Sequence, residues 1–290
     1  MRASSEVAKS IHWRVNCFCN RKCPFCYGPE KHHEVRLEES LPVLEKMLVF
    51  GIDTFILTGG EPLLSAKIDK VIAFLHSHSA KVVLYTNCDF FDLHEDLLVE
   101  CLDTICVPIE GASEYVHDMV RGENNLRAVI SVLDRYANGV GKFKVKVGTV
   151  IGRHNISELS AIAYLLGKYK LTVWKLYEYI RYTDRTLQRL WDQNQLGITP
   201  AEYRSAAQTV MSMSTRKTPV ALSSGYDRDN SYFMMNPDLE MVVPMRGEGG
   251  CYEDKVICSA KECTMAEIED RWRTTIDWDS YTTNLRVSLF

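Results

Sequence analysis

No apolar run in this sequence approaches the roughly 20 residues needed to cross a bilayer as a helix. The N-terminus also lacks the basic, apolar and small-residue order of a secretion signal. A cytoplasmic protein with no membrane partner is therefore expected. Charge of one sign is missing too. The 34 Lys and Arg against 38 Asp and Glu give a formal net charge of −4 and a pI near 6.1, so no broad basic field awaits a nucleic acid. There is no internal repeat and no low-complexity segment. What 290 residues at 46% hydrophobic content do supply is enough apolar surface for one large α/β domain with a small C-terminal addition.

Against these absences stand ten cysteines. In a reducing compartment they do not read as a disulfide framework, so clustered ones are metal ligands or reactive thiols. Four of them fall within "CFCNRKCPFC", Cys17 to Cys26. Cys19, Cys23 and Cys26 have the spacing C-x₃-C-x₂-C. Three thiolates on one short loop can hold three irons of a [4Fe–4S] cluster and leave the fourth open. With Cys17 they could equally form a four-thiolate structural zinc site, and the chain would then be a zinc-stabilised binding module.

The surrounding pattern alternates strands with helices. Ile11 to Asn16 reads as a strand that runs into the cysteine loop, and a helix follows from a Ser40 cap, with Leu41, Leu44 and Leu48 on one face and Gly51 as its stop. Further strands are expected from Thr54 to Thr58, Val82 to Thr86, Thr104 to Ile109, Phe143 to Gly148 and Thr172 to Tyr179. Between them lie helical stretches around Ile68, from Asp96 to Cys101, Leu126 to Tyr136 and Ser157 to Gly167. Six strands in right-handed βαβ order imply a parallel sheet curled into a partial (β/α)₆ TIM-like barrel over residues 1–180. Residues 181–290 read as an extension that closes the substrate site, with a helix start at Thr199-Pro200-Ala201-Glu202, a hairpin turning at Asn236-Pro237-Asp238, and a cysteine-containing loop.

The second strand ends in Gly59-Gly60-Glu61-Pro62. This places backbone groups and a carboxylate at the C-terminal sheet edge, beside the cysteine loop, where parallel α/β folds bind ligands. The arrangement suits an amino-acid-like cofactor whose ammonium needs a carboxylate. The zinc reading leaves that edge without a task. The pair of motifs, C-x₃-C-x₂-C followed by Tyr27 and then Gly-Gly-Glu-Pro, resembles the radical S-adenosylmethionine (radical SAM) superfamily over roughly residues 11 to 180. The resemblance implies a [4Fe–4S] cluster on Cys19, Cys23 and Cys26, SAM chelating the open iron, an electron donor such as flavodoxin or ferredoxin, and a 5′-deoxyadenosyl radical that abstracts hydrogen from substrate. It also implies cofactor contacts from Gly59, Gly60 and Glu61 to the methionine amino group, from Tyr27 to adenine, from Thr86 and Asn87 after the third strand, from Arg121 to the SAM carboxylate, and from Thr149 and Val150 in the fifth-strand motif. Arg121 is otherwise a solvated helix-end arginine and Asn87 a turn residue. Pro108 stands where the family commonly has serine, which removes one expected hydroxyl contact.

Strand alternation that turns Phe143, Val145 and Val147 toward the helices sends Lys144 and Lys146 to the barrel interior, with Lys175, Tyr177 and Tyr179 entering from the sixth strand. Together with Glu110 these are the candidate substrate contacts, and they suit a small polar molecule. The lysines could instead snorkel to solvent. Peptide-modifying members, some with auxiliary clusters, typically carry a leader-binding module, and about ten residues ahead of the first strand are too few for one. Cys251, Cys258 and Cys263 resemble a degenerate form of the SPASM and twitch regions that bind a second iron–sulfur cluster. Cys251 alone, in Gly249-Gly250-Cys251, could be a thiol that returns a hydrogen atom to a substrate radical. The favoured reaction is epimerisation of a sugar or aminoglycoside-type natural product with Cys251 as donor, a step in antibiotic biosynthesis. The alternative is a viperin-like nucleoside triphosphate dehydratase, which "FKVKVGTVIGRHN", "WKLYEY" and "SYFMMNPDLEMVV" resemble, with Lys146, Arg153 and Lys175 on the phosphates.

Overall fold

Period-two burial shows why the first strand ends where it does. In β1 (Ser10–Arg14), Ile11 and Trp13 are fully buried under the helices, whereas His12 and Arg14 turn to the opposite face. The computed structural model describes residues 10–139, 142–182, 196–213, 218–225, 232–247 and 250–276. After β1 the chain runs through α1 (Leu37–Phe50), β2 (Thr54–Thr58), a 3₁₀ turn (Pro62–Leu64), α2 (Ile68–Ser77), β3 (Lys81–Tyr85), α3 (Phe91–Cys101) and β4 (Thr104–Pro108). It continues through α4 (Glu114–Arg121), α5 (Asn125–Tyr136), β5 (Lys144–Ile151), α6 (Leu159–Leu166) and β6 (Val173–Glu178). The C-terminal part adds α7 (Pro200–Met213), β7 (Val220–Ser223), β8 (Met234–Met235), β9 (Glu240–Arg246), β10 (Tyr252–Ser259) and α8 (Met265–Arg273).

All ten strands form one sheet in the order β10-β9-β8-β1-β2-β3-β4-β5-β6-β7. From β8 to β7 every neighbouring pair is parallel, and β8, β9 and β10 are antiparallel. The expected mixed α/β fold with a large parallel sheet is thus present. The region after residue 180 joins that sheet at both ends, β7 beside β6 and β8 beside β1. The turn at Asn236-Pro237-Asp238 joins β8 to β9 as the sequence suggests.

Local differences have local causes. Helix α1 begins at Leu37, three residues before Ser40, because the Arg36 amide finds the Glu39 carboxylate at 3.2 Å and Ser40 Oγ donates back to the Arg36 carbonyl at 3.1 Å. It stops as expected at Gly51, whose φ of 109° is the left-handed geometry glycine tolerates. The glycine-rich cysteine stretch, read from sequence as a loop, contains the eight-residue strand β10. Helix α8 follows it from the box Thr264-x-x-Glu267, a signal present in the sequence.

Candidate active site

The strand ends of β1 to β6 surround a cavity of about 190 Å³ whose lining includes Cys19, Cys23 and Cys26. Their loop is tied to the sheet edge through backbone groups: Gly60 donates to the Asn16 carbonyl at 2.9 Å and Glu61 to the Phe18 carbonyl at 2.6 Å. Arg21 braces its middle, pairing with Asp89 at 2.6 Å and donating to the carbonyls of Arg121 and Gly122 at 3.0 and 2.8 Å. Cys17 is turned away, its thiol on the His32 carbonyl at 3.1 Å, and is not in the lining. Burial pushes the Cys19 thiol up to about 12, and it raises Cys23 too despite the nearby Arg121. Such thiols ionise when a metal takes the place of their protons.

The spacing of these sulfurs separates the two metal readings. A single zinc about 2.3 Å from each thiolate would keep any two sulfurs within about 4.6 Å. Among the described residues, His32, Asp238 and Glu240 are the set whose potential ligand atoms lie within 4.8 Å of one another, and the loop thiols do not meet that limit. Three thiols around a wider space, with Cys17 elsewhere, fit a cluster with one open iron and not a four-thiolate zinc.

Glu61 sits opposite, only 1% exposed. It accepts from Thr86 Oγ1 at 2.7 Å, the Asn87 amide at 2.7 Å and the Leu63 amide at 3.1 Å. Burial, partly offset by those bonds, moves its carboxyl up to about 7. A carboxylate has about four acceptor positions, so three donors leave room for an ammonium from the cavity side. Thr86 and Asn87 therefore act by orienting Glu61, and Asn87 Nδ2 also bonds Asn20 of the cysteine loop at 2.9 Å.

Arg121, at the end of α4, lines the same cavity and is not the solvated residue it could have been. Its guanidinium pairs with Glu110 at 2.6 Å, reaches the Cys23 sulfur at 3.7 Å and lies over the Phe25 ring at 4.9 Å. Glu110 is fully buried and also accepts from the Val150 amide at 2.8 Å. Its two oxygens hold Arg121 and the Val150 amide, so Glu110 positions that guanidinium and the β5 edge, and it also lines the cavity.

Strand alternation and strand ends correct other expectations. On β5, Lys146, Gly148 and Val150 turn inward, so Thr149 lies on the helix side. Its hydroxyl donates to the Ile109 carbonyl and accepts from Trp174 Nε1 at 2.9 Å, away from the cavity. Thr149→Val should accordingly cost about 1 to 3 kcal/mol of stability through two orphaned buried groups, seen as a lower denaturation midpoint, while SAM affinity stays unchanged. Lys144 is exposed at the N-terminal end of β5, the end opposite the site. Tyr179 packs with Cys23, Phe25 and Val150 outside the cavity lining, where its neighbours Glu178 and Ile180 appear instead. Lys146 and Lys175 are both buried, each 5% exposed; Lys175 lines the smaller cavity described below, and Lys146 is in the lining of neither. Burial, with Lys175 and Lys144 nearby, brings the Lys146 ammonium down to about 8.

The second-cluster trio is not assembled. Cys251 precedes β10 and Cys258 lies near its far end, so an extended chain holds them on the order of 20 Å apart. Cys258 is buried in the main core and Cys263 packs against that core with its carbonyl held by Lys46 at 2.7 Å, which accounts for them as packing. Cys251 is half-buried beside Tyr179 and outside the cavity lining.

Three interior features escaped the sequence reading. Arg14 is fully buried and pairs with Asp254 of β10, donating also to Asn236 at 3.0 Å. Burial opposes its charge, but Asp254, Tyr182 and Tyr27 outweigh it and hold the guanidinium protonated. Tyr85 and Cys106 both line the cavity. A smaller cavity of about 40 Å³ adjoins the first, shares Tyr27, Tyr85 and Tyr177 with it, and adds His12, Lys175 and Tyr232.

A parallel half-barrel that brings three separated thiols, a carboxylate at a Gly-Gly-Glu strand end and a buried arginine to one mouth defines an iron–sulfur enzyme built to hold a zwitterionic cofactor. The chain belongs to the Radical SAM superfamily, whose sequence model matches residues 13–166, more than half of its length. It is a radical SAM enzyme, and its cofactors are a [4Fe–4S] cluster and SAM. Similar proteins include the AdoMet-dependent heme synthase of Methanosarcina barkeri, 23% identical over 171 residues, covering 55% of this chain and 47% of that one. The GTP 3′,8-cyclase of Clostridium botulinum is 27% identical over 165 residues, covering 53% and 51%. The chain thus spans about half the length of these curated relatives. The crystal structure of Streptococcus suis SuiB bound to S-adenosylmethionine shares the fold, with a TM-score of 0.68 at 14% identity, covering 94% of this chain and 67% of that one. Among the described residues no helix is long and apolar enough to cross a membrane.

Proposed function

We propose that this enzyme abstracts a hydrogen atom from a small polar molecule held in the barrel interior, and that the outcome is epimerisation of a sugar or aminoglycoside-type compound. One observation carries the reading: the smaller cavity continues from the larger one and is lined by tyrosines, His12 and Lys175. Hydroxyls, an imidazole and an ammonium recognise hydroxyl-rich or anionic groups and offer little to an apolar ligand. When bound, the cluster and SAM supply a 5′-deoxyadenosyl radical at the larger cavity. Cys19, Cys23 and Cys26 would hold the cluster. Glu61 and the Gly59-Gly60 backbone would take the SAM ammonium, Arg121 its carboxylate, and Tyr27 and Val150 the adenine. A ferredoxin- or flavodoxin-type protein would provide the electron.

A second reading has its own support. Lys146 and Lys175 are buried on the adjacent strands β5 and β6, and Lys175 lines the smaller cavity, which favours an anionic substrate such as a nucleoside triphosphate. A relative is named for a reaction of GTP. A peptide substrate finds its support in the SuiB fold, since SuiB has been crystallised with its precursor peptide.

The test is anaerobic turnover of the reconstituted enzyme with SAM, reductant and separate panels of aminoglycosides and nucleoside triphosphates. Epimerisation predicts that an aminoglycoside raises 5′-deoxyadenosine formation at least about tenfold over background and returns as its epimer. Stimulation by a nucleoside triphosphate with loss of water would replace it with the second reading.

A further inference from the structure

Redox-neutral radical chemistry needs a hydrogen-atom donor next to the reacting carbon. Cys251, expected in that role, lies outside the cavity beside Tyr179. A different thiol is inside. Cys106 is on the inward face of β4, 5% exposed, and lines the larger cavity together with Tyr85, Gly148 and Tyr177. A methyl group built on Gly148 would meet the Tyr177 ring at 3.0 Å and the Cys106 sulfur at 3.9 Å, so both pack over the bare glycine backbone. Tyr85 is the register partner of Cys106 across β3 and β4, so the two side chains stand beside each other on the inward face. The Tyr85 hydroxyl is also 3.3 Å from the Tyr177 hydroxyl, which faces both cavities. Thiol, phenol and phenol form a connected row along the wall that separates the two spaces.

We propose that Cys106 is the hydrogen-atom donor to the substrate radical, with Tyr85 as the phenol that repairs it and Tyr177 as the next in line. This assignment rests on the hydrogen-abstraction reading above. The steps balance atom for atom. The S–H bond of Cys106 breaks and a C–H bond forms on the substrate, leaving a thiyl radical. The Tyr85 O–H then gives its hydrogen to sulfur, and the Tyr177 O–H can do the same for Tyr85. One electron from the ferredoxin- or flavodoxin-type donor and one proton from solvent restore the last phenol. An S–H bond is weaker than the sugar C–H bond being remade, so the first step runs downhill. Burial supports the role because it pushes Cys106 up to about 11 and keeps it a thiol, the form that carries the hydrogen.

The experiment needs no identified substrate. Reconstituted enzyme is incubated anaerobically with SAM and dithionite in deuterium oxide, and the 5′-deoxyadenosine released is analysed by mass spectrometry. Without substrate the radical at the cavity takes the most readily transferred hydrogen within reach, which in the wild type is the exchanged deuterium of Cys106, because a thiol gives hydrogen to a carbon radical faster than a phenol of similar bond strength. Most product should carry one deuterium. Cys106→Ser keeps shape and polarity but has too strong an O–H bond, and its deuterium content should fall at least about fivefold at equal iron content and equal melting temperature. Cys251→Ser should match the wild type. Tyr85→Phe should keep the deuterium transfer but lose the tyrosyl electron paramagnetic resonance signal of freeze-quenched samples. Unchanged deuterium in Cys106→Ser, or its loss in Cys251→Ser, overturns the donor assignment, and an unchanged tyrosyl signal in Tyr85→Phe overturns the repair step. The response of product amount to the aminoglycoside panel tests the proposed function, while deuterium content tests Cys106, so the two fail separately.

Discussion

Alanine at Cys19, Cys23 or Cys26 is expected to lower iron in the reconstituted protein from about four per chain to near zero and to abolish SAM cleavage. Each thiol lines the same cavity, and the one neighbouring cysteine, Cys17, is committed to the His32 carbonyl and cannot swing in as a replacement. Cys17→Ala should keep its iron and its absorption near 400 nm. Because Cys23 is buried against Arg121, its loss also removes a favourable contact of that guanidinium. The fold should nonetheless survive in all three variants, since the loop lies at the barrel mouth, apart from the main core. Iron analysis alongside circular dichroism checks the pattern. An iron-replete Cys19, Cys23 or Cys26 variant, or an iron-free Cys17→Ala, contradicts the ligand set.

Gly60→Ala should be nearly as damaging, although it removes no ligand. A Cβ at position 60 would stand 2.0 Å from the Phe18 carbonyl oxygen, 2.3 Å from its carbon and 2.9 Å from the Cys17 carbonyl carbon. Those atoms are backbone and have no rotamer to yield with. The loop must move, and it is the loop that ends in Cys19. The same displacement breaks the Glu61 amide bond to Phe18 and carries Glu61 away from its place. A shift of about an ångström at such a site commonly costs on the order of 100-fold, so SAM affinity should fall at least that much, with partial loss of iron. Gly51→Ala is the control: its Cβ meets nothing within 4 Å, so only left-handed strain of about 1 kcal/mol is added, and SAM binding should not change. Equilibrium binding of SAM to both variants decides the matter.

The contrast between Cys19 and Cys106 shows how far a sequence carries. The cysteine loop, the Gly-Gly-Glu strand end and the alternation of strands with helices are local signals. Their spacing is enough to specify three ligands, a carboxylate and a parallel sheet, because loop length and the periods of helix and strand are properties of adjacent residues. Alternation also placed Lys146, Lys175 and Tyr177 inside. The same alternation sets Thr149, a cofactor contact implied by the resemblance, one residue out of phase with Gly148 and Val150 and outside the cavity lining.

What sequence spacing did not carry was every relation between strands. The pairing of Glu110 with Arg121 at 2.6 Å is visible only in the folded chain. Cys251, Cys258 and Cys263 looked like neighbours until an extended strand set the first far from the other two. Arg14 and Asp254 are 240 residues apart in sequence and pair only because β10 returns through β9 and β8 to lie near β1. Cys106 is one apolar-looking position in a fully buried strand. Which face of that strand meets the cavity depends on the curvature of the whole sheet, a sum over many pairings that no single segment encodes. The cofactor site is therefore written in short motifs. The substrate space and the thiol that faces it come from closing the sheet.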